Sequence, residues 1–102
     1  QQARQALLPR LDEALGDLDA LILPTVPFVA PLIAAVQEEE AFLRTNALIL
    51  RNPSVFNFYD LPALSLPLPA AGSLPIGLMV VGRRNADRAL LETAAAIEAL
   101  FA

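Results

Sequence analysis

Lysine, histidine and cysteine are all missing from this 102-residue sequence, and each absence removes a class of chemistry. Without lysine or histidine the usual proton shuttles and amine bases are gone. Without cysteine there is no thiolate nucleophile, no disulfide framework and no thiolate metal site. All seven basic residues are arginine: Arg4, Arg10, Arg44, Arg51, Arg83, Arg84 and Arg88. Polar chemistry is left to Ser54, Ser65, Ser73, three threonines, Tyr59 and the carboxylates. The expectation is that the chain holds no catalytic residue, no metal site and no cofactor.

Charge is scarce as well. Only 18% of residues are charged while 56% are hydrophobic, against about 25% charged in an ordinary soluble domain. A chain this short buries a smaller share of its surface than a large one, so the apolar surplus should face more polypeptide or a second copy. The net charge is −4 and only Arg83-Arg84 are adjacent. No basic stripe is present to follow a phosphate backbone, which excludes nucleic acid as a partner. The longest uncharged stretches, residues 20–36 and 61–82, are broken repeatedly by proline. A membrane-spanning helix needs about 20 apolar residues without such breaks, so no membrane association is expected and the expected location is cytoplasmic. The sequence begins at Gln1 without an initiator Met and stops at Phe101-Ala102 in mid-helical pattern. The expectation is a piece of a longer protein, with residues 1–102 as one partial domain.

Along the chain, Leu7, Leu11, Ala14, Leu15 and Leu18 recur at helical spacing. They predict a helix over residues 2–16, capped by Gly16 and kinked or restarted at Pro9. The apolar run 19–23, stopped by Pro24, suits a strand buried on both faces. Residues 24–37 carry three prolines among apolar side chains, an irregular stretch better suited to lining a cavity than to facing water. Glu38-Glu39-Glu40 opens a helix running to about Arg51. Consecutive helical residues point about 100° apart, so these carboxylates read as a solvated helix start. Asn52-Pro53 predicts a restart, with Asn52 as the N-cap of a short helix to Tyr59. Strands over 61–68 and 75–82, joined by the turn Ala70-Ala71-Gly72-Ser73, predict a hairpin at about 62–82. Asn85 caps a last helix whose buried stripe is Leu90, Ala94, Ile97 and Phe101. The order is α-β-α-α-β-β-α: α/β in class, or α+β as an isolated piece.

Three segments in this order resemble those of amidase-signature enzymes. Asp19-Ala-Leu-Ile-Leu-Pro-Thr-Val-Pro27 is similar to their "DALLxPTxP" segment. Arg51-Asn-Pro-Ser-Val-Phe-Asn57 through Leu61-Pro-Ala-Leu-Ser-Leu-Pro67 resembles "NxxGLPAxSxP". Leu74-Pro-Ile-Gly-Leu-Met-Val-Val-Gly82, followed by Leu90-Leu-Glu-Thr-Ala94, resembles the closing "LPxGLQLVG…LLxxAxxxE". The resemblance implies a parent of several hundred residues, an α/β/α sandwich with a mixed sheet, of which this chain is the C-terminal part. It implies hydrolysis of carboxamides through an acyl-enzyme formed by a Lys, a bridging cis-Ser and a nucleophilic Ser. All three would lie N-terminal to these residues. Asp60 stands where the family often has Gly, Met79 where it often has Gln, and the proline-rich loop is shorter than in many relatives. These departures point away from the branch of tRNA-dependent amidotransferases.

The expected role is therefore scaffold and pocket wall, inactive alone, with the N-terminal remainder of the same enzyme and a small-molecule amide as partners. Thr25 follows the C-terminal end of a strand, where α/β sheets place ligands, and is a candidate for substrate binding. Arg51 is a candidate to meet a carboxylate in the substrate or the missing domain, and Asn57 to fix local backbone beside the substrate. Ser65, between Leu64 and Leu66 and without a base, reads as a hydrogen-bonded structural serine. Gly77 and Gly82 mark close backbone approach or a strand end. Two alternatives remain: a free-standing interaction domain that forms a homo-oligomer, and part of a protein like the amidase-type component of glutamyl-tRNA amidotransferase.

Overall fold

A computed structural model describes residues 2–69, 72 and 74–101. Helix α1 covers Gln2–Leu15 and runs through Pro9. Pro9 and Gln5 both lie on exposed helix surface, so the carbonyl that loses its donor can turn to water. Gly16, with φ +51°, ends the helix by donating to the Glu13 carbonyl at 3.1 Å. That left-handed position is one glycine takes without steric cost.

Strand β1 is Leu21–Pro24, β2 is Ala63–Leu68 and β3 is Ile76–Val81. The sheet order is β1-β3-β2, with β3 antiparallel to both neighbours. The expected hairpin is thus present in register from Ala63 opposite Val81 to Leu68 opposite Ile76. Of its turn, Ala70, Ala71 and Ser73 lie outside the described residues. The mixed sheet implied for the parent has no parallel pair among the described strands.

β1 departs from expectation. It is an edge strand with alternating exposure, and Ile22 is 60% exposed where both faces were expected to be covered. Its edge position also explains how Pro24 belongs to it, because the missing N–H faces no partner strand.

The two faces of β3 each carry a core. On one face Leu66 and Val80 meet Leu90 and Ala94 of helix α3, Asp87–Ala99. On the other, Met79 and Val81 meet Leu15 of α1 and Leu61, with Phe56 and Tyr59 packed alongside. This is an α/β/α layering with β3 at its centre. Gly82 lets α3 approach, since a Cβ there would sit 3.1 Å from the Leu90 Cβ. Arginines fasten α1 and the turn after it: Arg4 pairs with Asp60, Arg84 with Asp12 at 3.0 Å, and Arg83 donates to the carbonyl of Leu18 beyond the helix at 3.1 Å.

Between β1 and β2 lie a short 3₁₀ helix, Ile33–Val36, and one long helix α2, Glu39–Phe58. The expected restart at Asn52-Pro53 does not occur. Asn52 lies inside the continuous helix, its Oδ1 accepting from Arg51 Nε at 3.2 Å and its Nδ2 donating to the Pro24 carbonyl at 2.8 Å, and Pro53 is carried inside the helix. The observed order is α-β-α-β-β-α. Two further expectations are corrected at the last helix. Asn85 takes a left-handed conformation (φ 63°) in the preceding turn, leaving Ala86 at the cap; Asn tolerates that conformation better than most residues. Phe101 lies beyond the helix and is exposed, so the buried stripe is Leu90 and Ala94 with Ile97 beside them.

At the C-terminus of α2, Leu61 N–H reaches back to the Phe56 carbonyl at 3.0 Å, and Asp60 adopts φ 57°. This is the closing geometry that glycine usually provides. It accounts for Gly at this place in the family pattern and for an acidic residue, tolerant of left-handed backbone, substituting here.

Candidate functional site

The C-terminal end of β1 opens onto a cleft of about 220 Å³, lined by Thr25, Phe56, Asn57, Ser65 and Met79 among others. Each residue reaches it for a local reason. Thr25 is the first residue past the strand, held by its N–H to the Gly77 carbonyl at 3.0 Å. Ser65 lies opposite Met79 in the register and so shares the sheet face against which Leu15 and Phe56 pack. Asn57 comes from the last turn of α2.

Thr25 Oγ1 and Ser65 Oγ share a hydrogen bond of 2.6 Å. Ser65 is hydrogen-bonded, as its sequence setting indicated, and it is exposed rather than buried. Its neighbour is a hydroxyl, not a base. None of the lining residues is ionisable. The cleft can offer hydroxyls and an amide to a ligand, but nothing that abstracts a proton at neutral pH. Among the described residues no group of three or more acidic side chains converges in metal-binding geometry.

Two of the three candidate residues, Thr25 and Asn57, are brought into this one cleft. Arg51 is not: it is exposed on α2, with Nε donating to Asn52 Oδ1 at 3.2 Å. Residues 26–31 extend the site. Val26, Phe28, Val29, Ile76 and Gly77 line a second cleft of about 310 Å³, which is mostly apolar. Of the proline-rich stretch, residues 26 and 28–31 line this cleft, whereas Leu32 and Ile33 are 79% and 81% exposed and Ile33–Val36 form the 3₁₀ helix rather than irregular lining. Asn52 and Ser65 were not singled out as site residues, because the strongest local signal at Asn52 is capping and nothing near Ser65 in sequence announces Thr25, forty positions away.

The model of the family described as Amidase matches residues 1–91. An uncharacterised protein of Rhodococcus erythropolis is 34% identical over 87% of this chain, which spans 45% of that protein. A 2-amino-5-chloromuconic acid deaminase of Comamonas testosteroni is 34% identical over 83% of the chain and 19% of its own length. A glutamyl-tRNA(Gln) amidotransferase subunit of Thermotoga maritima is 33% identical over 95% of the chain and 20% of its own length. Among solved structures, an amidase superposes on 97% of this chain with a TM-score of 0.71 at 32% identity, the match covering 23% of the solved chain. The crystal structure of a Thermotoga maritima glutamyl-tRNA(Gln) amidotransferase subunit covers 87% with a TM-score of 0.70 at 30% identity, over 19% of its own chain.

Proposed function

This chain belongs to the amidase family, and on that premise we propose that it is the C-terminal part of an enzyme hydrolysing a carboxamide to a carboxylate and ammonia. In this role the sheet and α3 are scaffold, while Thr25, Asn57 and residues 26–31 form a wall of the substrate cleft. The Lys, cis-Ser and nucleophilic Ser of the family's chemistry stand in the N-terminal remainder of the polypeptide, the partner against which this chain packs. One observation carries the reading. The cleft gathers hydroxyl and amide groups beside apolar walls, yet the sequence contains no Lys, His or Cys to activate a nucleophile. The apolar walls favour an amide with an uncharged, apolar substituent. A cytoplasmic location belongs to the same proposal; among the described residues no helix is long and apolar enough to cross a membrane.

A second reading has its own support. The relatives named as glutamyl-tRNA(Gln) amidotransferase subunits match this chain as closely, at 33% and 36% identity, as those with other names. Overall identity therefore does not separate the two branches. In that reading the parent would release ammonia for transfer to a tRNA-bound substrate. A third, a homo-oligomeric interaction domain, draws on the exposed apolar surface of α2.

Ammonia release tests the first reading. The full-length protein should liberate ammonia from simple carboxamides, and replacing its Lys upstream of this segment by Ala should abolish turnover. The 102-residue chain alone should release none. An open reading frame whose initiator Met stands at or just before Gln1 would remove the first reading and favour the third.

A further inference from the structure

Three elements hold the point where β1 passes into the apolar loop. The Thr25 N–H donates to the Gly77 carbonyl of β3 at 3.0 Å. Thr25 Oγ1 and Ser65 Oγ of β2 lie 2.6 Å apart. One residue earlier, Asn52 Nδ2 of α2 donates to the Pro24 carbonyl at 2.8 Å.

The hydroxyl pair is unusual in its reach. β1 and β2 are not neighbours, because β3 runs between them, and adjacent strands stand about 4.8 Å apart. The two side chains can meet only over a residue that has none. A Cβ on Gly77 would fall 2.4 Å from Ser65 Oγ and 3.0 Å from Thr25 Oγ1. The space left by this glycine is filled by a hydrogen bond.

Beyond Thr25 the chain has no strand partner among the described residues. Residues 26–31 nevertheless supply Val26, Phe28 and Val29 to the apolar clefts on either side. Pro27 and Pro31 fix φ at two points of this short segment, so the loop is stiff and its placement is set where it is anchored. A small shift at Thr25 is passed on to the wall.

We propose that Ser65 and Asn52 are positioning residues, which hold Pro24 and Thr25 so that the wall formed by residues 26–31 stands at the right distance from an apolar group of the substrate. The inference rests on the amidase reading and names what sets the size selectivity of that site. Neither residue performs chemistry. Each acts through the backbone it holds.

The experiment uses the full-length enzyme and the variants Ser65→Ala, Ser65→Thr and Asn52→Ala, with far-UV circular dichroism to show that each is folded. Hydrogen exchange by mass spectrometry is followed in peptides covering residues 25–31 and 76–82. Hydrolysis of benzamide and of acetamide is compared as a ratio of kcat/KM. Exchange in 25–31 should speed up about tenfold in each alanine variant, the worth of one lost hydrogen bond, while 76–82 keeps its rate. The preference for benzamide over acetamide should change about fivefold or more, as expected when an apolar wall moves. Ser65→Thr, which keeps the hydroxyl, should restore both. Unchanged exchange in both alanine variants overturns the proposal. So does faster exchange with an unaltered benzamide-to-acetamide ratio, which would leave the bonds purely structural. If the unmodified enzyme hydrolyses neither amide, the amidase reading and the selectivity role fall together, and the exchange comparison alone decides whether the two residues hold the loop.

Discussion

β3 and α2 are both rich in apolar side chains, and the structure treats them oppositely. Met79, Val80 and Val81 of β3 are 3%, 0% and 2% exposed. The twenty residues of α2 include no fully buried side chain, and Phe42, Leu43, Leu48 and Leu50 are 40–55% exposed. The strand is enclosed because its alternating side chains meet helices on both faces of the sheet. The helix joins the core only near its C-terminus, through Phe56. Apolar composition therefore reports how much cover a segment calls for, and not whether this chain supplies it. On the proposed reading, the cover for α2 comes from the rest of the polypeptide.

Substitutions can press on this contrast. The largest effect is expected for Val80→Asp, which would place an unpaired carboxylate at a site with no exposure. A loss of about 3 kcal/mol or more should abolish the cooperative thermal transition followed by circular dichroism. Gly77→Ala comes next, because the added Cβ collides with the Ser65 hydroxyl. Overpacking of this kind costs about 1–3 kcal/mol, measurable as a lower midpoint in urea. Asp60 separates backbone strain from charge. Asp60→Ala should cost about 1–2 kcal/mol through its left-handed backbone, whereas Asp60→Asn should lose less than about 1 kcal/mol with the Arg4 pair. The Asn variant should also respond less to salt. In the 102-residue chain alone, Leu43→Glu, on the open part of α2, should change stability by under about 0.5 kcal/mol, whereas in the full-length protein the covered site should make it cost more. It should also reduce self-association in sedimentation experiments. A large loss of stability at Leu43 in the 102-residue chain alone would break the comparison.

The elements set by local signals were legible in the sequence: the Gly16 helix end, the hairpin bracketed by prolines and the Leu90–Ala94 stripe. The misreadings share one physical origin. At Asn52-Pro53 a local capping signal stands inside one continuous helix, with Asn52 Nδ2 bound to the Pro24 carbonyl twenty-eight positions away, a tertiary contact that no local pattern announces. For β1, an apolar run indicated burial but could not reveal that the strand would sit at the sheet edge. The site was legible to a similar extent. Thr25 and Asn57, named separately as candidates, line one cleft, and their contact with substrate is part of the proposal. Arg51 stands outside that cleft. The link between Thr25 and Ser65 depends on a register in which β3 lies between their strands, and no local pattern encodes it.

That same strand order bears on how the chain is made. Leu21 of β1 pairs with Val81 of β3, and the whole of β2 lies between them in sequence. During synthesis the pairing of β1 with β3 must therefore wait until nearly all of this segment has left the ribosome. Pairings that span so much chain form slowly, and the interval before they close is when this polypeptide is most open to aggregation and most dependent on chaperones.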